Sequence, residues 1–343
     1  MWAVRKHFPD AHLTLLCDRH PGKARVLAAD LLRGTQLFDE ILSYIVDPSA
    51  LGYALRPVHM VRLLVQLRRS RYDTLVYLAP STRSPEQVTR DRKFFVAVGI
   101  KEFVGMSGFP ELPVKIPGRP LGTTRSEADL LLSRLAADGI KAPPQREGSL
   151  ELNIRGTEEA EVNAWLTRLP SDEARSWIGI GPGSKMPAKR WPEERYQAVV
   201  AHLIRELHVW PVVFGGTEDK QAADRLLKSW GCGYSAAGAF SLRGTAAALR
   251  HCKLYLGNDT GTMHLAAAAG IPCVALFSSR EWPGMWFPYG VEQKVFRSQI
   301  ECEGCGLFEC VEKHNECLNR ISVGEVFSAC ANQLRGVCAT VCE

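Results

Sequence analysis

Apolar residues follow two alternating rhythms along this chain. Short apolar runs at 12–17 (HLTLLC), 40–45, 74–78, 177–181 (WIGIG) and 209–214 read as buried strands. Between them lie longer stretches whose apolar residues recur three or four apart, the period of a helix. In 58–70, for example, they are Val61, Leu64, Val65 and Leu67. The pattern predicts helices over 2–8, 58–70, 85–98 and 125–138 and a short strand at 103–105, with a Pro/Gly-rich loop at 110–122. Further on it predicts helices over 158–169, 192–207, 218–229 and 242–251. Strands that alternate with helices predict parallel sheets wound on both faces.

The stretch 254–277, LYLGNDTGTMHLAAAAGIPCVALF, condenses the scheme into strand, turn, helix and strand. Asp259 or Thr260 is placed to cap the helix that starts at Gly261, and Gly270 and Pro272 end it. Such a helix points unpaired backbone N–H groups and its positive dipole end at the carboxyl edge of the sheet, where anions bind. A well-capped βα turn without a ligand has the same sequence signature. The expected organisation is an N-terminal α/β domain over 1–150, a linker helix over 151–172 and a second α/β domain over 173–321. A last helix over 322–343 could pack back on the first domain.

Composition narrows the class. The chain has 343 residues, 46% of them apolar and 23% charged, which suits two globular domains. A net charge of +5 without a dense basic tract points away from nucleic acid and leaves anionic substrates or acidic membrane surfaces open. The start, MWAVRKHFPDAH, has no apolar core of a signal peptide, and no run is long enough for a membrane helix. The expectation is a cytoplasmic or membrane-peripheral protein.

Seven of the eleven cysteines follow residue 300. Cys302, Cys305, Cys310 and Cys317 form a C-x2-C-x4-C-x6-C array suited to thiolate ligation of structural zinc or iron. Disulfides or unligated thiols fit the same spacing. Cys17, Cys232, Cys252 and Cys273 read as core thiols.

Three loops of the second domain each follow a strand, so they should gather on one sheet edge. The first, GPGSKMPAKRWP, offers Ser184, Lys185, Lys189 and Arg190 before a helix start, as an anion-binding loop or a solvated basic one. The second, FGGTED, offers Glu218 or Asp219, either as a ribose acceptor or as a carboxylate favoured by a helix dipole. The third offers Asp259, Thr260 and Gly261 with His264, whose imidazole the helix dipole would keep neutral, unless it is structural.

These residues, with VVFGGTEDK, the long 254–277 stretch and the segment 282–289, resemble glycosyltransferase family 9, the heptosyltransferases of lipopolysaccharide core assembly. More weakly, YDTLVYLAPSTRS and AVGIKEFVG extend the resemblance into the first domain. The resemblance implies a GT-B fold, two Rossmann-like domains facing across a cleft, with the acceptor on the first and ADP-heptose on the second. It implies inversion at the anomeric carbon, no catalytic metal, and a glycolipid or glycan acceptor near the inner membrane surface. By residue, it makes Ser184 and Lys189 donor-phosphate contacts, Glu218 a nucleoside contact, and Asp259, Thr260, Gly261 and His264 the main donor-binding group, with Lys185 also among the donor-binding residues. Lys189 and His264 would then act as electrostatic stabilisers.

In the family a first strand and a Gly-Asp turn precede the helix that here begins at Met1, and that Asp is the proposed general base. Nothing in this sequence occupies that position, so the first domain is expected to lack its first strand, with a start that lies further upstream. The base stays unassigned. A catalytically silent sugar-nucleotide-binding relative is the alternative, and a metal or redox sensor built on the cysteines is a third reading. Arg83, Arg90, Arg92 and Lys93 stand as acceptor-side contacts or as a solvated helix face.

Overall fold

A computed structural model describes residues 1–20, 28–47, 49–170, 176–290 and 293–340. The chain divides into two compact units, Met1–Leu112 with Glu127–Ser149, and Pro113–Ser126 with Leu150–Glu343. The loop Pro113–Ser126 thus belongs to the second unit, although the sequence led us to place it in the first.

Unit 1 runs α1 (Trp2–His7), β1 (Thr14–Arg19), α2 (Ala28–Leu32), β2 (Glu40–Ile45), α3 (Ala50–Ser70), β3 (Thr74–Val76), α4 (Pro85–Val98), β4 (Glu102–Val104) and α5 (Glu127–Ala137). β2 and α4 have the expected bounds. α3 starts eight residues before its expected start at 58, because Ser49 accepts from Gly52 N as its cap and Pro57 is carried inside the helix. β1 pairs with β2 and β3 with β4, all parallel, and no ladder joins the two pairs among the described residues. Both pairs pack on shared apolar side chains: Leu16, Leu42, Leu75 and Phe103 meet around Leu63, Leu67, Val98 and Ile100.

Unit 2 runs α6 (Gly156–Leu166), β5 (Trp177–Gly181), α7 (Glu193–Leu207), β6 (Trp210–Val213), α8 (Lys220–Trp230), β7 (Tyr234–Ser235), α9 (Leu242–Leu249), β8 (Cys252–Asn258), α10 (Gly261–Ala268), β9 (Cys273–Phe277), β10 (Gln293–Arg297), α11 (Glu316–Asn319) and α12 (Val323–Thr340). Its six strands form one parallel sheet in the order β10-β9-β8-β5-β6-β7. Numbered from β5, this is the doubly wound order in which the connections reverse direction between β5 and β8, and the crevice beyond their carboxyl ends is where such folds bind ligands. β5 and β8 are short and almost wholly apolar, as strands covered on both faces must be.

α6, expected as a linker, packs on α9 within unit 2, fastened where Glu158 meets Arg243. α12 packs within unit 2. Its Val326, Cys330 and Leu334 complete the core of unit 2 with Val199, Val200 and Leu203 of α7, because its apolar face matches the one α7 leaves open.

Candidate active site

At the reversal point Gly181 pairs in register with Gly257. The sequence suggests that such glycines leave room for a ligand, yet here the space is filled from within. A Cβ on Gly181 would lie 1.7 Å from the Tyr255 hydroxyl, and one on Gly183 would lie 2.2 Å from the Asp219 carboxylate. The Tyr255 ring is fully buried and its hydroxyl has no hydrogen-bond partner among the described residues, with Thr260 and Thr262 as polar neighbours. Burial raises its pKa, so the phenol stays protonated.

One residue that sequence reasoning passed over organises the crevice. Asn258, fully buried at the end of β8, accepts from Trp191 N at 3.1 Å and from the Tyr196 hydroxyl at 2.9 Å, and donates to Pro182 O at 2.7 Å. It ties the loop after β5 to the turn after β8. An Asn before an Asp reads as ordinary turn chemistry, so only the buried partners reveal the role.

Lys189 ends a single 3-10 turn, Pro187–Lys189, and its ammonium lies 2.5 Å from Asp259 Oδ2 and 3.9 Å from Glu281 Oε1. Both side chains of the Lys189–Asp259 pair are mostly buried, at 12% and 8% exposure, so water screens the attraction weakly. The pairing corrects one expectation. Neither Asp259 nor Thr260 caps α10 through its side chain, because Lys189 holds the carboxylate and the Thr260 hydroxyl lies near Asn258 O and the Thr262 hydroxyl. The first N–H groups of α10, from the exposed Gly261 onward, are therefore without a side-chain cap. His264 follows one turn later, half-buried, and burial lowers its pKa. Asp259 opposes that shift and Lys189 adds to it, so a neutral imidazole is favoured at neutral pH.

The remaining expected residues lie around this pair. Ser184 Oγ accepts from Met186 N, and its carbonyl accepts from Arg190 Nε at 2.8 Å. Lys185 is exposed at the rim. Glu218 is exposed and folded back over Gly216, whereas Asp219 is the carboxylate that reaches the crevice. Asp219 accepts from Gly216 N at 2.9 Å, and burial raises its pKa.

Cys302, Cys305, Cys310 and Cys317 line one cavity of about 270 Å³ with Ser278, Arg280 and Asn315. Among the described residues no group of three or more His, Cys, Asp or Glu side chains is disposed to hold a metal ion, and these four thiols are free. What the segment does in this structure is support the Lys189 loop. Phe308 O accepts from Ala188 N, Asn315 Nδ2 donates to Pro187 O, and Arg280 donates to the carbonyls of Gly306 and Leu307. The acceptor-side candidates lie in unit 1, where Arg83 and Arg90 both pair with Asp91.

Residues 127–315 match the family described as glycosyltransferase family 9 (heptosyltransferase). Lipopolysaccharide heptosyltransferase 2 of Salmonella typhimurium (strain LT2) is 33% identical over 145 residues, 40% of this chain and 41% of that protein. Lipopolysaccharide heptosyltransferase 1 of Escherichia coli (strain K12) is 28% identical over 137 residues, 40% of this chain and 42% of that protein. The matched stretch thus spans less than half the length of these curated relatives. Among solved structures, a glycosyl transferase family 9 protein from Veillonella parvula superposes with a TM-score of 0.69 at 21% identity, covering 98% of this chain and 91% of that one. E. coli ADP-heptose lps heptosyltransferase II superposes with a TM-score of 0.61 at 20% identity, covering 98% and 93%. At such identity these likenesses establish the fold, α/β of GT-B type.

Proposed function

The chain belongs to glycosyltransferase family 9, the heptosyltransferase family, and from that premise we propose that it is an inverting glycosyltransferase that moves a heptose, or a related sugar, from a nucleotide-sugar donor to a lipopolysaccharide-type acceptor. ADP-heptose is the donor we propose, and the cytoplasmic face of the inner membrane is the place of work. The observation that carries the reading is the Lys189–Asp259 pair at the open N-terminus of α10, on the crevice between β5 and β8.

The chemistry follows from the charges. As the bond between the anomeric carbon and the phosphate oxygen breaks, its electron pair passes to the diphosphate. The ammonium of Lys189 and the first N–H groups of α10 stabilise that charge without a metal. Asp259 holds Lys189 in place before the donor arrives. Neutral His264 adds a donor without a competing charge on the helix end. An acceptor hydroxyl attacks the opposite face of the sugar, and its proton leaves to a base that the reading does not assign. Asp219, packed against Gly183 and Gly215, is better placed than Glu218 to take a ribose hydroxyl.

The two ladders of unit 1, unjoined in the described residues, favour a second reading, a sugar-nucleotide-binding relative without transfer. Incubation with ADP-heptose and a heptose-deficient lipopolysaccharide acceptor separates the two. Release of ADP with the acceptor gaining one heptose mass supports transfer, and donor binding without product supports the silent relative. Metal analysis of the protein beside Cys302→Ser tests the cysteine array: no bound metal in either protein would remove the metal reading.

A further inference from the structure

α3 presents an apolar stripe to solvent. Its core-facing side is set by Leu63 and Leu67, 8% and 3% exposed, which pack with Val98 and Ile100. At roughly 100° per residue, Val58, Val61 and Val65 lie together on the opposite side. They are 47%, 61% and 39% exposed, and Leu55, 40% exposed, lies beside them. A helix on the surface of a water-soluble unit places polar residues there. The exposed polar residues that α3 does carry are one-sided in charge: Arg62 and Arg69 border the stripe on one flank and Arg68 on the other, and its 21 residues include no Asp or Glu.

We propose that the solvent face of α3 is a membrane-docking surface, with Val58, Val61 and Val65 entering the headgroup boundary of an anionic phospholipid leaflet and Arg62, Arg68 and Arg69 pairing with lipid phosphates. The charge decides the occupant. Apolar side chains alone would suit a second protein, whereas a stripe bordered by arginines and free of acidic residues matches an anionic surface. No helix of the described residues is long and apolar enough to cross a membrane, so α3 lies on the bilayer. Three valines bury little area, so binding is reversible and needs the anionic lipid. The inference rests on the proposed function only in its consequence, that a lipid-linked acceptor is met in the plane of the leaflet.

The test is co-sedimentation of the full chain with vesicles of phosphatidylglycerol and phosphatidylethanolamine, and separately with phosphatidylcholine vesicles. The protein is expected to partition onto the anionic vesicles, to be released by high salt, and to leave the phosphatidylcholine vesicles largely bare. Val61→Asp/Val65→Asp should abolish sedimentation. Arg62→Glu/Arg69→Glu should weaken it by at least about 25-fold, at about fivefold for each arginine lost. Circular dichroism and ADP titration of both variants keep folding and the unit 2 site in view, so a failure of the proposed function appears in the ADP titration alone. Equal binding to both vesicle types, no vesicle binding, or unchanged binding by the valine variant would overturn the proposal. So would a solution dimer that the valine variant dissociates, because the face would then join two copies of the chain.

Discussion

The two units close the carboxyl ends of their strands in opposite ways. In unit 1 a charged group does it. Arg134 of α5, 1% exposed, donates to Tyr77 O at 2.7 Å, Ala79 O at 2.8 Å and Gly105 O at 3.0 Å, and its guanidinium stacks 3.9 Å from the Phe109 ring centre. In unit 2 the neutral Asn258 ties the loops, and the charges of Lys189 and Asp259 are kept at the open end of α10. One sheet edge is sealed by an ion that satisfies carbonyls, while the other is latched by an amide that leaves an ion pair at the open end of α10, where we propose that the donor diphosphate binds.

Removing each closure tests the contrast. Arg134→Met leaves three inward carbonyls unpaired and should cost about 3 kcal/mol or more of stability, read by chemical denaturation, with ADP binding in unit 2 unchanged. Arg134→Lys should recover only part, because a point charge cannot reach three carbonyls in a plane. Asn258→Ala should cost less, about 2–3 kcal/mol. Unlike the arginine variants it should also weaken ADP binding, since Pro182 and Trp191 lose their common tether; unchanged affinity would show that the latch does not shape the site.

Titration gives the smaller effects. The folded pKa of His264 is depressed below its ordinary value near 6.5. Its contribution to stability is therefore fully present above pH 6.5 and is lost as pH falls through the folded value. His264→Gln should flatten the decline in denaturation midpoint between neutral and mildly acidic pH. Glu127 has the opposite sign. Burial raises its pKa above 4.5, one oxygen accepts from Ser81 N at 2.8 Å, and the other has no partner among the described residues. Its favourable contribution is present below pH 4.5 and is lost as pH rises through the raised value. Glu127→Gln, which keeps the acceptor and removes the charge, should therefore raise the denaturation midpoint of unit 1 at neutral pH, and a loss of stability would contradict the assignment.

Strand-then-helix rhythm carried most of the fold into view, because a sheet covered on both faces writes its strands as apolar runs. Three kinds of feature stayed hidden. Pro57 reads as a helix start, although the preceding turn is already helical and capped by Ser49. β7 has two residues and β10 follows a long turn-rich stretch, so neither leaves a periodic trace. Arg134 and Asn258 look like a helix-surface cation and a turn residue until their buried partners are seen. Lys189, Asp259 and Thr260 were legible as a group because loops after parallel strands must share an edge. That Asp259 would hold Lys189 rather than cap α10 was not, since both choices satisfy the same carboxylate. The four cysteines were legible as an array, and the cavity they line shows a support for the Lys189 loop that spacing alone does not reveal.

The most direct test is calorimetric titration of ADP and ADP-heptose into the wild-type protein and Lys189→Ala. The wild type is expected to bind at micromolar concentration and the variant about 10- to 100-fold more weakly, the worth of one charge-assisted contact in a dry site, with unchanged circular dichroism. Equal affinity in the two proteins, or no binding by the wild type, would contradict the placement of the donor diphosphate at the Lys189–Asp259 pair.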